Sequence, residues 1–222
     1  KDGTTVGSIK CRSSGANLQI DTGQSGIDFG GDGYLPMRNG SIVDNNLDIG
    51  SGSFRYDDVF ATNGTIQTSD QNEKQQIASL TDAEITAAKA ISGLFKTFKW
   101  NDKVEAKGDA ARTHAGVIAQ EVQQAMTDAG LDAANYAFWC SNTWWETQTE
   151  VPAVEADEEN GIEAADAYTR TDTYDTAEEA PEGATERTRL GIRYPELLAF
   201  VGAATEQRLA NIETRLTALE AE

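Results

Sequence analysis

Basic residues are scarce in this chain: 18 Lys and Arg face 37 Asp and Glu, for a formal net charge of −19. Phosphate recognition runs on Lys and Arg, so this balance argues against nucleic acid and, on the same grounds, against an anionic membrane surface. Histidine occurs once and cysteine twice, as Cys11 and Cys140, with no CxxC spacing and no His beside either. That removes the usual metal-ligand patterns and a disulfide framework. Two free, mostly buried thiols made in a reducing cytoplasm are expected instead. No apolar run approaches the ~20 residues that cross a bilayer, so no membrane insertion is expected. A Gly-rich phosphate loop is also missing, and neither metal nor other cofactor is expected. The N-terminal Lys1-Asp2-Gly3-Thr4-Thr5 lacks an initiator Met and a signal-peptide shape, and reads as the start of a C-terminal piece of something longer.

What the chain does contain divides in two. Its 222 residues suffice for one large domain or two small ones, and 39% hydrophobic content can supply a core. Twenty glycines and a mean hydropathy of −0.50 suggest that the core is uneven along the chain. Up to residue 68 apolar alternation comes in short bursts, at Ser8-Ile9-Lys10-Cys11, Asn17-Leu18-Gln19-Ile20, Gly26-Ile27-Asp28-Phe29, Ser41-Ile42-Val43 and Leu47-Asp48-Ile49. Each is followed by turn residues. Strands so short expose an apolar face that a lone chain cannot cover. They fit a β-prism or β-helix built from several chains, with an up-and-down sandwich as the alternative. No strict repeat period emerges, so a solenoid is not predicted. Phe54, Tyr56, Val59 and Phe60 then bunch together as a hydrophobic plug at the end of the β module; an aromatic sugar-stacking site is the minority reading.

The seam follows, at Gln67-Thr68-Ser69-Asp70-Gln71-Asn72-Glu73-Lys74. Thr65-Ile66-Gln67-Thr68 reads as a last strand. Ser69 or Asp70 is a good helix N-cap, with Glu73 placed as in a capping box. A chemical reading competes with that structural one. A serine hydroxyl attacks a carbonyl once a base takes its proton, and a desolvated lysine can be that base. Five residues along a regular helix turn by about 140°, so Ser69 and Lys74 would not share a face in mid-helix. With Ser69 outside the first turn, Lys74 can fold back toward it.

Beyond the seam Ile77, Leu80, Ile85, Ala88, Ile91, Leu94 and Phe95 recur at helical spacing, predicting one or two helices over residues 70–96 with a second cap at Thr81 or Asp82. Phe95 to Asp102 alternates as a strand, and Thr113 to Ile118 is its hairpin partner across a polar loop from Lys103 to Arg112. Ile118 to Ala129 reads as a helix stopped by Gly130. His114 is read first as a satisfied strand-end histidine and second as a group reaching the junction. Phe138, Trp139, Cys140, Trp144 and Trp145 read as core or trimer contacts. From 150 to 189 carboxylates crowd the chain, which predicts an extended, solvated acidic arm or loop. Leu198, Thr205, Leu209, Ile212, Leu216 and Leu219 form an a/d seam over the last helix, 195–222. Leu at a with Ile at d favours more than two strands, and a parallel trimer fits.

Three blocks carry a resemblance. Gly64-Thr65-Ile66-Gln67-Thr68-Ser69-Asp70 with Lys74, then Ala115-Gly116-Val117-Ile118-Ala119-Gln120-Glu121-Val122, then Leu190-Gly191-Ile192-Arg193-Tyr194-Pro195-Glu196-Leu197 stand in the order found in the intramolecular chaperone domain of phage endosialidase tailspikes, long tail fibres and neck appendages. The resemblance covers about residues 47–222. It implies an α+β homotrimer: residues 1–68 end a β-rich fibre or tailspike module, and 69–222 form a mainly helical chaperone domain closing in a trimeric coiled coil. It also implies single-turnover serine-peptidase action on the chain itself. Ser69 would be the nucleophile, Lys74 its base and Thr68–Ser69 the scissile bond, with Asp70 orienting the turn or assisting. The partners implied are two identical chains and the rest of the fibre; a host surface glycan or protein is a candidate contact of the β module. The mature fibre would sit in the virion tail, with the chaperone released in the host cytoplasm. The alternatives are a permanently attached, non-cleaving receptor-binding tip and, more remotely, a free-standing hydrolase.

Overall fold

The computed structural model of the chain describes residues 7–11, 17–30, 33–51, 53–56, 59, 67–156 and 164–221. The chain forms two compact units, Lys1–Phe60 and Ala61–Glu222. The expected Thr65-Ile66 strand start and Phe60 lie outside the described residues.

The first unit is an antiparallel meander of β1 (Ser8–Cys11), β2 (Leu18–Asp21), β3 (Gly26–Gly30), β4 (Gly33–Arg38) and β5 (Ser41–Ile42), hydrogen-bonded in sequence order. A single sheet thus stands where a sandwich was the alternative. Asn39-Gly40 joins β4 to β5 with φ of 51° and 75°, the two-residue hairpin turn that suits a right-twisted ribbon. Four of the five strands coincide with the bursts of alternation. The fourth, β4, was not expected, because it carries Pro36 and starts at a glycine. The ladder explains how proline is tolerated: Val43 donates to the Pro36 carbonyl at 3.0 Å, and the return bond has no donor. The named strand β5 stops at Ile42, next to that gap. Leu47-Asp48-Ile49, expected as a strand, is irregular.

The faces of this sheet are inverted relative to a single-chain β domain. Asp28 is fully buried, with Gln19, Asp21 and Met37 on the same face, while Ile9 is 75% exposed and Leu18, Ile20, Ile27 and Phe29 stand out on the other. The buried carboxylate is satisfied: Gln19 Nε2 donates to Asp28 Oδ2 at 2.7 Å and Asn17 Nδ2 to Oδ1 at 2.9 Å. Leu47, Ile49 and Tyr56 help line an open cavity of about 520 Å³ over the apolar face with Ile27, Phe29 and Tyr34. Phe54, Tyr56 and Val59 remain exposed and seal nothing within one chain. Cys11 is exposed and Cys140 half-buried, so both thiols are free, but the expected burial is wrong. Cys11 shares its face with Ile9, the side the single chain leaves open.

In the second unit α1 (Asp82–Ser92), β6 (Lys96–Phe98), α2 (Asn101–Lys107), β7 (His114–Gly116), α3 (Ala119–Asp128), β8 (Trp139–Val151), β9 (Tyr168–Tyr174), β10 (Thr185–Ile192) and α4 (Tyr194–Glu220) follow one another. Its core joins Ala87, Ala88 and Ile91 of α1 to Val122, Ala125 and Met126 of α3 and to Leu197, Phe200 and Ala204 of α4, each set on one helical stripe. Residues 70–81 do not join α1. Thr81 starts that helix with a capping box to Glu84. β6 pairs with β7 as expected. The loop between them contains α2, which buries no side chain and therefore leaves no apolar stripe to read in the sequence. α3 ends in a Schellman turn, Gly130 at φ 79° donating to Thr127 and Leu131 to Met126.

The acidic stretch 150–189 carries strands as well as loop: the end of β8, all of β9 and the start of β10 fall in it, and most of its described residues are exposed. β8 lies between β10 and β9 in an antiparallel three-stranded sheet. Thr, Tyr and charged pairs hold it, among them Arg187 Nε to Glu146 at 2.6 Å and Thr169 Oγ1 to Glu150 at 2.8 Å. Phe138 and Trp144 are buried, the latter under the Arg189 guanidinium at 4.9 Å. α4 opens with Pro195 in its first turn and packs as far as Ala204; beyond that no described residue is buried. Among the described residues no helix is long and apolar enough to cross a membrane.

Candidate functional site

Residues 67–79 are exposed throughout, and their short hydrogen bonds are local. Asp70 caps a single 3-10 turn, Gln71–Glu73: its Oδ1 accepts from the Asn72 backbone N–H and from Asn72 Nδ2, both at 2.9 Å. The turn closes with Glu73 N–H on Asp70 O at 3.3 Å and Lys74 N–H on Gln71 O at 3.1 Å. Lys74 is back in extended backbone, φ −120° and ψ 149°. A long helix from this cap would have rotated Lys74 away from Ser69; one tight turn followed by extended chain doubles it back. As a result Lys74 Nζ donates to Ser69 Oγ at 2.7 Å. Two residues on, Gln76 takes φ 55°, the left-handed region that non-glycine residues seldom enter.

Ser69 and Lys74 therefore meet across one turn that Asp70 caps through Asn72, and Thr68 adjoins Ser69 by the bond between them. His114 lies elsewhere: it pairs with Phe98 across β6 and β7, stacks on the Phe98 ring at 5.8 Å and meets the Trp100 ring edge at 6.2 Å. This is a strand-end position among aromatic rings. Glu121 binds Lys96 Nζ at 2.8 Å through one oxygen, and its second oxygen is buried without a protein partner. Gln120 and Glu121 open α3. Among the described residues no group of three or more His, Cys, Asp or Glu is placed to hold a metal ion.

Two contacts that no single motif announces stand out elsewhere in the second unit. Tyr194 accepts the Val117 N–H at 3.1 Å, and a Cβ on Gly116 would collide with the same hydroxyl. The glycine of the second motif block and the tyrosine of the third are thus parts of one joint. At the other contact, Glu84 Oε2 accepts from both the N–H and the hydroxyl of Thr81 at 2.7 Å, while Oε1 accepts from Tyr136 Oη at 2.9 Å. The Thr81 backbone N–H above all holds the Glu84 carboxyl below its ordinary value, against the effect of burial. Burial, then the carboxylate beside it, push the Tyr136 phenol up to about 12. The sequence signalled a cap at Thr81 or Asp82; nothing in it paired residues 84 and 136.

Known proteins with similar sequences come from phage tails. Residues 69–131 match the family described as chaperone of endosialidase. The "Probable tail spike protein" of Klebsiella phage 0507-KN2-1 is 33% identical over 207 residues, 91% of this chain and 16% of that protein. "Side tail fiber protein pb1" of Escherichia phage T5 is 33% identical over 191 residues, 86% of this chain and 12% of that protein. The chain thus spans a small fraction of these relatives. In structure it resembles the carboxy-terminal domain of the bacteriophage T5 L-shaped tail fiber with its intra-molecular chaperone domain, at a TM-score of 0.65 and 26% identity over 95% of this chain and 44% of that one. Residues 69–131 thus carry a match to the chaperone-of-endosialidase domain, in a chain whose similar sequences are those of phage tail spikes and tail fibres.

Proposed function

We propose that the second unit is a trimerisation chaperone for the β module before it, and that it then cuts itself free between Thr68 and Ser69. The observation that carries the reading is the 2.7 Å contact of Lys74 Nζ with Ser69 Oγ across an exposed turn. In this exposed state the amine donates. To act as a base it must arrive without a proton and accept from the hydroxyl, and withdrawal from water favours that neutral form. Apposition of three chains supplies the withdrawal, which makes cutting a consequence of finished assembly.

The step balances without a cofactor. Ser69 Oγ bonds to the Thr68 carbonyl carbon while its proton passes to Lys74, and the Thr68–Ser69 C–N bond breaks as the proton moves on to the Ser69 nitrogen. Water then hydrolyses the ester, leaving a carboxylate on Thr68 and a free α-amine on Ser69. Asp70 fixes the turn by its two bonds to Asn72. The seam on α4 and the open face of the meander supply the trimer contacts, the first as a short parallel coiled coil. The β module would remain on the virion tail as a tip able to meet a host glycan or protein, and the released unit would stay in the host cytoplasm.

A timed denaturing gel with N-terminal mass determination tests this. Wild type is expected to yield two pieces, one beginning at Ser69, while Ser69→Ala and Lys74→Met stay whole. An intact band in all three would leave the non-cleaving tip as the function.

A further inference from the structure

The dyad is defined within residues 69–74, yet those residues touch no core side chain: from Gln67 to Ser79 every position is exposed. Downstream, the first fixed points are Leu80, which packs against the core, and Thr81, which caps α1. Thr81 is gripped by one oxygen of Glu84, and that oxygen alone completes the capping box. The other oxygen reaches across the chain to the Tyr136 hydroxyl. Starting a helix does not call for that bond. Tyr136 is itself set into the core, with its ring 5.4 Å from Phe138 and 5.8 Å from Phe200. A single carboxylate therefore joins Leu80 in fixing the foot of this loop, tying it to the aromatic cluster of Tyr136 and Phe138, just before β8, and Phe200 of α4.

We infer that the Glu84–Tyr136 hydrogen bond is a clamp on the cleavage loop, which makes Glu84 and Tyr136 positioning residues for the self-cleavage proposed above, on which this inference rests. Neither touches the reacting atoms. They set where Thr81, and through it the 75–80 stem, meets the core, and so where Ser69 and Lys74 stand when partner chains close over them. Misplacement of a reacting pair is costly even when its chemistry is intact.

Tyr136→Phe separates this role from helix capping and from packing, since it removes one oxygen and keeps the ring and the capping box. If a hydrogen bond to a charged acceptor is fully expressed in loop placement, cleavage slows about tenfold or more. The experiment pairs two readouts. The first is the cleavage rate of assembled wild type, Tyr136→Phe and Glu84→Gln. The second is amide hydrogen exchange of the full uncut Ser69→Ala chain with and without Tyr136→Phe. Slower cleavage in both variants, with faster exchange confined to residues 81–85, whose amides the capping box and the first turn of α1 hold, is expected. Unchanged exchange there, or loosening of α3 and α4 to the same degree, overturns the clamp. Equal cleavage rates overturn it as well. A wild type that never cuts overturns the self-cleavage reading and the positioning role together, while the exchange arm still reports whether the bond tethers the stem.

Discussion

Tyr194 shows how much one hydroxyl can organise. The Val117 N–H that it accepts belongs to a buried residue, so Tyr194→Phe leaves a donor with no partner. The expected loss is about 1–3 kcal/mol in urea denaturation. Gly116→Ala is expected to cost more, because its Cβ enters the space of that hydroxyl. The double variant should recover part of the difference, a coupling that a double-mutant cycle reads directly. The Glu84–Tyr136 pair predicts two pH limbs. Glu84 titrates lower in the folded chain than the ordinary 4.5, so its contribution is present above that value and disappears as pH falls through the lowered one. Tyr136 titrates higher, so its contribution is complete below the ordinary 10.0 and fades as pH rises through about 12. Denaturation midpoints against pH should flatten on the acid side in Glu84→Gln and on the alkaline side in Tyr136→Phe.

Among the elements, α4 is packed at its start and bare at its end. Leu209, Ile212, Leu216 and Leu219 are each about half exposed or more, on the predicted seam. On the trimer and self-cleavage proposed above, Ile212→Asp is expected to shift sedimentation to smaller species while the circular dichroism of the second unit is kept, and to stop cleavage. What could be read of the elements in advance follows from burial. α1, α3 and the first turns of α4 show their stripes in the sequence because one side meets a core. β1, β2, β3 and β5 show their alternation because one face is apolar, whichever way it points. α2 and the β8–β10 sheet were illegible because no described side chain of α2 is buried and the outer half of the sheet is solvated on both sides, so Thr, Tyr and paired charges carry strands that apolar alternation never marks. The candidate site was legible only as a spacing. Ser69 and Lys74 five apart permit a meeting; the single turn and the return to extended chain that produce it depend on Asp70 capping three residues instead of a long helix.

At the scale of the whole molecule, the first unit contradicts the habit of burying oil and exposing charge. Asp28 and Gln19 are inside while Ile9, Ile20 and Ile27 are outside. This arrangement has a practical sequel. Expressed without residues 61–222, the meander would offer its greasy side to any neighbour, in no fixed number or register, and the expected product is insoluble or polydisperse material on a sizing column. Supplied with a foreign trimeric zipper in place of the second unit, the same sixty residues should stay in solution as a single species. The portion of the chain discarded at the end would then have served as scaffolding: needed to count to three, and dispensable once the count is made.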